Sequence, residues 1–215
     1  MKEEVSVNML RLNEDLAIIS EATGNATKSD KDLDLMFIMD CTGSMGSWIS
    51  TCQKEIIKIV GKIIDENSGC KVRVSFVGYR DFDMGDRSFS VLDFTEDIRG
   101  FKNFVNEVRA DGGSDEAEDI CGGFEKAIKQ SWSENSTKVA VIVADAPCHG
   151  REYHNDEDTH DYYPDGDTKG RCLRRQTAEL ASMEVDLYAI KINNSTNTMF
   201  RVLNTSYKPI AKKEI

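Results

Sequence analysis

From residue 33 onwards, apolar residues form several short runs that predict β-strands. The runs at 33–39 and 139–144 are almost uninterrupted, with Asp34 as an exception, which is typical of strands buried on both faces of a parallel sheet. At 72–76 and 89–91 apolar and polar residues alternate, as they do in strands nearer a sheet edge. A further apolar stretch at 185–192 predicts a fifth strand.

Between these strands, apolar residues recur at the three- and four-residue spacing of amphipathic helices. Strands that alternate with helices predict βαβ units. The expected fold is therefore α/β, with a doubly wound, mostly parallel central sheet that has helices on both faces. The predicted helices span 48–64, 98–108, 117–128, 173–183 and 198–203.

The N-terminal segment has its own helical stripe, ahead of the first predicted strand. This stripe predicts an amphipathic helix over 1–24, followed by a polar linker over 25–32, a compact domain over 33–208 and a tail over 209–215. Such a helix could dock on its own domain or mediate self-association of the chain. The stripe consists of Val5, Met9, Leu12, Leu16 and Ile19.

Oxygen-bearing side chains follow the two most apolar strands. In doubly wound sheets the ligand crevice lies beyond the carboxyl ends of the strands. Asp40, Thr42 and Ser44 follow the first apolar strand on a tight turn, and Asp145 follows the other. Ser114, after two glycines, offers a further hydroxyl. Carboxylates, hydroxyls and retained waters suit a hard cation such as Mg²⁺, so these five residues are the predicted metal ligands.

A simpler interpretation of the same turn needs no metal. Asp, Thr and Ser side chains often bond nearby backbone amides and cap the helix that follows. The turn at 40–44 alone does not separate the two interpretations, and Asp145 is what favours the metal site.

These residues resemble the metal-ion-dependent adhesion site of the von Willebrand factor A domain family. Asp40, Thr42 and Ser44 match the family's Asp-x-Ser/Thr-x-Ser pattern, and Asp145 matches its later Asp. Ser114 stands where the family usually has Thr, so the hydroxyl is kept. The resemblance implies a bound Mg²⁺ or Mn²⁺ ion, whose coordination an acidic side chain of a protein partner completes.

The likeness extends beyond the metal motif, over roughly residues 30–208. The stretches 78–81, 112–119 and 144–150 are similar to the A domains that accompany atypical alpha-kinases in protists. Nothing in the sequence matches a kinase catalytic domain. The resemblance implies a non-enzymatic binding module that targets or regulates an alpha-kinase-like protein.

Two other functions fit parts of the sequence. The segment 40–44 also resembles the nucleophile loop of haloacid-dehalogenase-type phosphatases, in which Asp40 would attack phosphorus. That chemistry needs a later Lys and a Gly-Asp pair after a strand, and the pair at Gly166 and Asp167 lies in an acidic loop. The third alternative is a scaffold that has lost its ion.

The net charge of the chain indicates which class of molecule it binds. The formal net charge of −11 opposes binding to nucleic acid, because nucleic-acid affinity depends on clustered Lys and Arg. The N-terminus lacks the apolar run of a secretory signal, and no stretch is apolar enough to span a membrane. We therefore expect a cytoplasmic protein that binds another protein.

The segment 148–172 is unusual because it contains all three histidines of the chain, His149, His154 and His160, together with two cysteines and many acids. Such a set could hold a second metal such as zinc. The spacing matches no standard zinc motif, which favours instead a ligand-facing insertion beside Asp145.

Overall fold

The structure is a computed structural model that describes residues 32–66, 69–155 and 159–215. The predicted N-terminal helix and the linker up to residue 31 lie outside these residues. The described residues form five strands: β1 (Leu33–Asp40), β2 (Val72–Tyr79), β3 (Phe89–Thr95), β4 (Thr137–Ala144) and β5 (Val185–Lys191). They also form five α-helices: α1 (Ile49–Glu66), α2 (Ile98–Glu107), α3 (Ile120–Ile128), α4 (Leu173–Ser182) and α5 (Asn197–Ala211). Short 3₁₀ helices cover Gly43–Ser47 and Phe82–Arg87.

The five strands form one sheet in the order β3-β2-β1-β4-β5. β1 pairs in parallel with both β2 and β4, and β4 pairs in parallel with β5. Only β3, at one edge of this sheet, runs antiparallel to its neighbour β2. The strand order reverses at β1, so the predicted doubly wound, mostly parallel sheet is confirmed.

Two separate cores account for the apolar run of β1. Successive side chains of a strand point to opposite faces of the sheet. Leu35 and Phe37 pack in the core on the side of α1 and α2, whereas Met36 and Ile38 pack in the core on the side of α3, α4 and α5. Both faces of the central strand are therefore covered by helices, and every residue of β1 is buried.

Asp34, the polar residue in this run, is buried at the amino end of the sheet. Its carboxylate accepts hydrogen bonds from Arg73 Nε at 2.8 Å and Nη2 at 2.6 Å, and from the backbone N–H of Ser133 at 2.7 Å. A buried carboxylate needs such partners to offset its desolvation. This interaction is far along the strand from Asp40, so it is structural.

Two helices differ from the predicted bounds by three residues or more. α3 begins at Ile120, not at 117, because the Asp119 side chain caps it by accepting from the N–H of Gly122 at 2.7 Å. α5 continues to Ala211, past residue 203, where we predicted this helix to end, and into the tail predicted over 209–215. Its extra turns place the hydroxyl of Tyr207 between the backbones of Val185 and Leu187 on β5. In the described part of the chain, no helix combines the length and the apolar character that crossing a membrane requires.

Candidate metal centre

The sheet topology brings Asp40 and Asp145 to the same edge. Asp40 is the last residue of β1, and Asp145 follows the last residue of β4. The two strands are parallel neighbours in which Met39 pairs with Val143. Parallel strands end at the same edge of a sheet, so the two carboxylates meet although they are far apart in the chain.

A continuous series of hydrogen bonds joins the two acids through the turn. Asp40 Oδ1 accepts from the backbone N–H of Thr42 at 2.8 Å and from its hydroxyl at 2.6 Å. The hydroxyls of Thr42 and Ser44 lie 3.1 Å apart, and Ser44 Oγ donates to Asp145 Oδ1 at 3.0 Å. Four of the five predicted ligands thus form one oxygen-lined group. We call Asp40, Thr42, Ser44 and Asp145 the oxygen cluster.

The electrostatics of the oxygen cluster fit a divalent cation. Asp40 is fully buried, and its Oδ2 has no hydrogen-bond partner among the described residues. Burial, and then the Asp145 charge, raise the pKa of Asp40 to about 8. Burial also raises the pKa of Asp145. A hard cation would offset the repulsion between the two carboxylates and give Asp40 Oδ2 a partner. The oxygen cluster provides the oxygen ligands that such a cation prefers.

Ser114 is the predicted ligand that the structure does not bring into the oxygen cluster. Its hydroxyl donates instead to Asp83 Oδ2 at 2.5 Å. The preceding Gly112 has a φ of +82°, and its carbonyl accepts from the N–H of Gly43 at 2.8 Å. The loop that contains the two glycines therefore packs directly on the turn at 40–44. A side chain on Gly112 would meet Met84 Sδ at 2.3 Å. The glycines are needed for this close approach, and they turn Ser114 towards solvent.

Glu118 is a site residue that the sequence did not single out. It is 2% exposed, and its Oε2 has no hydrogen-bond partner in the described part of the chain. Burial, and then the negative charges of Asp40 and Asp81, raise its pKa to about 10. We predicted a helix from 117, which would make Glu118 part of an ordinary first turn. Because α3 begins at Ile120, Glu118 lies instead in the loop beside the oxygen cluster.

A cavity of about 300 Å³ opens from this group of acids. Its lining includes Ser44, Asp145 and Glu118, together with the neighbouring Asp115 and Glu116. The oxygen cluster is therefore at the wall of a space that another molecule can enter.

A second group of acids surrounds His149. One ligand atom each from Asp81, Asp115 and His149 lie within 4.8 Å of one another, the arrangement of a candidate cation site. However, His149 Nε2 lies 2.8 Å from Asp81 Oδ1, and Nδ1 lies 2.8 Å from Asp161 Oδ1. Burial alone would lower the pKa of His149, but these two hydrogen bonds outweigh it and raise the pKa. Both ring nitrogens lie within hydrogen-bond distance of a carboxylate oxygen, so neither is left for another ligand, and we assign this group a structural role.

Asp161 joins both neighbouring histidines of the 148–172 segment. Its Oδ2 lies 3.0 Å from His154 Nε2 and accepts from the N–H of Gly150 at 2.8 Å. His149 also stacks on Phe82, with ring centroids 4.8 Å apart. Of the histidines whose number suggested zinc, His149 therefore fastens the segment to the loop after β2, whereas His154 bonds within the segment. The Arg80 side chain, in the same loop, donates to Arg87 O, Ser90 Oγ and Arg109 O.

Comparison with known families agrees with this geometry. The model of the von Willebrand factor A domain matches residues 34–157, more than half of the chain. The chain belongs to the von Willebrand factor A domain family. The predicted resemblance to this family is thereby confirmed.

The chain is also similar to one curated protein and to solved structures. The chain is 34% identical over 193 residues to alpha-protein kinase vwkA of Dictyostelium discoideum, a match that covers 89% of this chain and 30% of that protein. The chain thus spans about a third of the length of this relative. Two crystal structures of the pilus adhesin SpaC from Lactobacillus rhamnosus GG match with a TM-score of 0.55 and 12% identity, covering 85% of this chain and 30–31% of theirs. The likeness to SpaC concerns the fold alone.

The network around Asp161 predicts how acid destabilises this A domain. Burial alone would raise the pKa of Asp161, but the hydrogen bonds from Gly150, His149 and His154 lower it from 3.8 to about 2. A lowered pKa stabilises the fold above the unfolded value and loses that contribution as the pH falls through the folded value, here between about pH 4 and 2. The contribution is on the order of 2 kcal/mol.

Asp161→Asn is therefore expected to lower the free energy of unfolding at pH 6 and to flatten its dependence on pH between 4 and 2. Urea unfolding at a series of pH values measures both effects. Asp165→Asn, at a side chain that is 94% exposed, is the matched control and should behave as the wild type. Equal pH profiles for Asp161→Asn and the wild type would contradict the assignment.

Proposed function

We propose that this A domain is a protein-interaction module that holds one Mg²⁺ or Mn²⁺ ion at the oxygen cluster and uses the ion to contact a partner. The observation that supports this most is the partnerless Oδ2 of Asp40, fully buried and next to a second carboxylate. A buried oxygen without a hydrogen-bond partner destabilises the fold, and a bound cation would offset that penalty.

Each member of the oxygen cluster has a distinct role in this proposal. Asp40 and Asp145 provide the negative charge that attracts the ion, and the Thr42 and Ser44 hydroxyls provide neutral oxygen ligands. The ion supplies a Lewis-acidic position at the cavity wall that accepts an oxygen ligand from outside. Thr42 also fixes the Asp40 carboxylate through two hydrogen bonds, so the ligand geometry is set before the ion binds.

We further propose that the partner is a protein that offers an acidic side chain to the ion. The cavity beside Ser44 and Asp145 has room for a carboxylate. Similarity to alpha-protein kinase vwkA supports a role in, or alongside, an alpha-kinase-like protein. The net charge of −11 argues against nucleic acid as the partner.

The proposal places the protein in the cytoplasm, as predicted from the sequence. Self-association through the helix predicted over 1–24 also stays a prediction, because that segment is outside the described residues. Sedimentation of the whole chain and of a chain that begins at residue 32 would test it.

The phosphatase alternative is less well supported by the geometry. A nucleophilic Asp40 would have to reach phosphorus, but it is fully buried and its Oδ1 already accepts two hydrogen bonds from Thr42. We propose a non-enzymatic domain. Hydrolysis of para-nitrophenyl phosphate that is lost in Asp40→Asn would favour the enzyme instead.

Ion-dependent capture of a partner tests the interaction. The purified chain, immobilised and incubated with extract of the source cells, is expected to retain the same protein in Mg²⁺ and in Mn²⁺ and to release it when a chelator is added. Asp40→Asn should not retain that protein even in Mg²⁺, because the ion has lost its charged buried ligand. Asp86→Asn, which changes an exposed acid outside the oxygen cluster, should retain it as the wild type does.

Capture that is equal with and without chelator would contradict an ion-dependent interaction. Capture by the wild type and Asp40→Asn alike would contradict a role for the oxygen cluster, even if a chelator weakened both.

A further inference from the structure

The backbone of Glu118 is fixed beside the oxygen cluster. Its N–H donates to the carbonyl of Pro147 at 3.0 Å, and Glu118 forms an isolated parallel bridge with Cys148. Pro147 and Cys148 belong to the loop that begins with Asp145. The backbone of Glu118 is therefore hydrogen-bonded to the same loop that presents Asp145, the second carboxylate of the oxygen cluster.

The side chain of Glu118 points towards the turn at 40–44. A Cβ atom built on Gly113 would lie 2.8 Å from Glu118 Oε1 and 3.5 Å from the Cβ of Thr42. The Glu118 carboxylate and Thr42 thus both face the position that a Gly113 side chain would occupy. Gly113 has a φ of +90°, a conformation that other residues rarely adopt, so this opening is built into the backbone.

Three features of Glu118 match those of the expected ligands. It is 2% exposed, it lines the same cavity as Ser44 and Asp145, and its Oε2 has no hydrogen-bond partner among the described residues. Asp40, a predicted ligand, has the same combination of burial and a partnerless oxygen. A bound cation would give both of these buried oxygens the partner that they need.

We propose that Glu118, and not Ser114, is the ligand that the loop after Gly113 gives to the divalent ion. The proposal rests on the proposed function, because it assigns one more ligand to the same ion. The Ser114 hydroxyl donates to Asp83, whereas the Glu118 carboxylate lies close to Thr42 and its Oε2 has no hydrogen-bond partner among the described residues. The centre then has three carboxylates, from Asp40, Asp145 and Glu118.

A third carboxylate changes what the centre does in the absence of a partner. With two carboxylates a divalent ion is neutralised, and with three the loaded centre has a net charge of −1. Affinity for a hard cation rises with the number of charged ligands, so the free chain should keep its ion resident. Glu118 also replaces one retained water, and it reduces the attraction of the loaded centre for an acidic partner group.

Titration of the whole chain with Mn²⁺, followed by electron paramagnetic resonance and water-proton relaxation, tests this assignment. Glu118→Gln is expected to weaken Mn²⁺ binding by about tenfold or more and to add one coordinated water. Glu118→Asp keeps the charge but withdraws the carboxylate by one methylene, so a direct ligand predicts weaker binding here as well. Ser114→Ala should bind within about twofold of the wild type, because its hydroxyl is not a ligand.

Glu116→Gln is the matched control, because Glu116 lines the same cavity but is exposed and accepts from the N–H of His160. Circular dichroism and thermal unfolding of each variant verify the fold. Wild-type binding that is lost in Asp40→Asn but unchanged in both Glu118 variants would overturn this inference and leave the proposed function intact. No Mn²⁺ binding by the wild type would overturn both.

Discussion

Asp40→Asn is expected to abolish the rise in unfolding temperature that Mg²⁺ gives to the wild-type domain. A ligand that binds only the folded state stabilises it by about 2.7 kcal/mol at a concentration of 100 times its Kd. For a domain of this size that corresponds to a rise of roughly 5–10 °C. The variant should show no rise, because Asp40 supplies a buried charged oxygen with no other partner in the described part of the chain.

The same substitution has an opposite effect without the ion. Burial and the Asp145 charge raise the pKa of Asp40 to about 8, which means that the ion-free fold is penalised for keeping this carboxyl group. Asn removes that penalty, so the ion-free variant should unfold at a temperature no lower than the ion-free wild type. Differential scanning calorimetry with Mg²⁺ and with chelator gives all four values. Asp86→Asn should keep the full Mg²⁺ response. An equal Mg²⁺ response in Asp40→Asn and the wild type would contradict the proposed ligand.

Arg171→Met is expected to destabilise the fold by about 3–5 kcal/mol, because it leaves two buried carboxylates without their cation. Arg171 Nη2 lies 2.7 Å from Asp119 Oδ1 and 2.5 Å from Asp167 Oδ2. The two acidic side chains are 1% and 2% exposed. Asp119 also caps α3, so Arg171 fastens the end of the 148–172 segment to the start of that helix.

Urea unfolding measures this loss as a lower midpoint. Arg175→Met is the control, because Arg175 is exposed and donates to the carbonyl of Gly170 at 3.4 Å. Its free energy of unfolding should stay within about 0.5 kcal/mol of the wild type. A loss of less than about 1 kcal/mol in Arg171→Met would contradict the view that this network holds the segment in place.

The fold was predictable because its signals are local. The apolar run at the start of the domain belongs to β1, which is buried by helices on both faces, and a run of that kind is typical of a central strand in a parallel sheet. The alternation in β3 matches its position at a sheet edge. Helix ends were less predictable: Tyr207 extends α5 through hydrogen bonds to β5 that only the folded chain contains.

The oxygen cluster was predictable from the same topology. Once two apolar strands are taken as parallel neighbours, Asp40 and Asp145 must lie at one edge of the sheet. The finer arrangement depends on loops. Ser114 and Glu118 are close together in the chain, and the positive φ of Gly112 and Gly113 decides which of them faces the turn. Nothing in the sequence around these residues expresses that choice.

The network at His149 was not predictable for a similar reason. Asp81 and Asp161 come from loops that are distant in the chain, and both meet one histidine ring. The sequence indicated only that histidines were concentrated in one segment. Such a concentration is compatible with zinc, with recognition and with internal fastening, and only the contacts separate these roles.

The most direct test of the metal centre is an anomalous difference map from crystals of the whole chain grown with Mn²⁺. The account predicts one strong peak per chain, about 2.2 Å from Ser44 Oγ and from one or more carboxylate oxygens of Asp40, Asp145 or Glu118. A map whose peak lies at Asp81, Asp115 and His149, or one without a peak at a Mn²⁺ concentration that saturates the crystals, would contradict it.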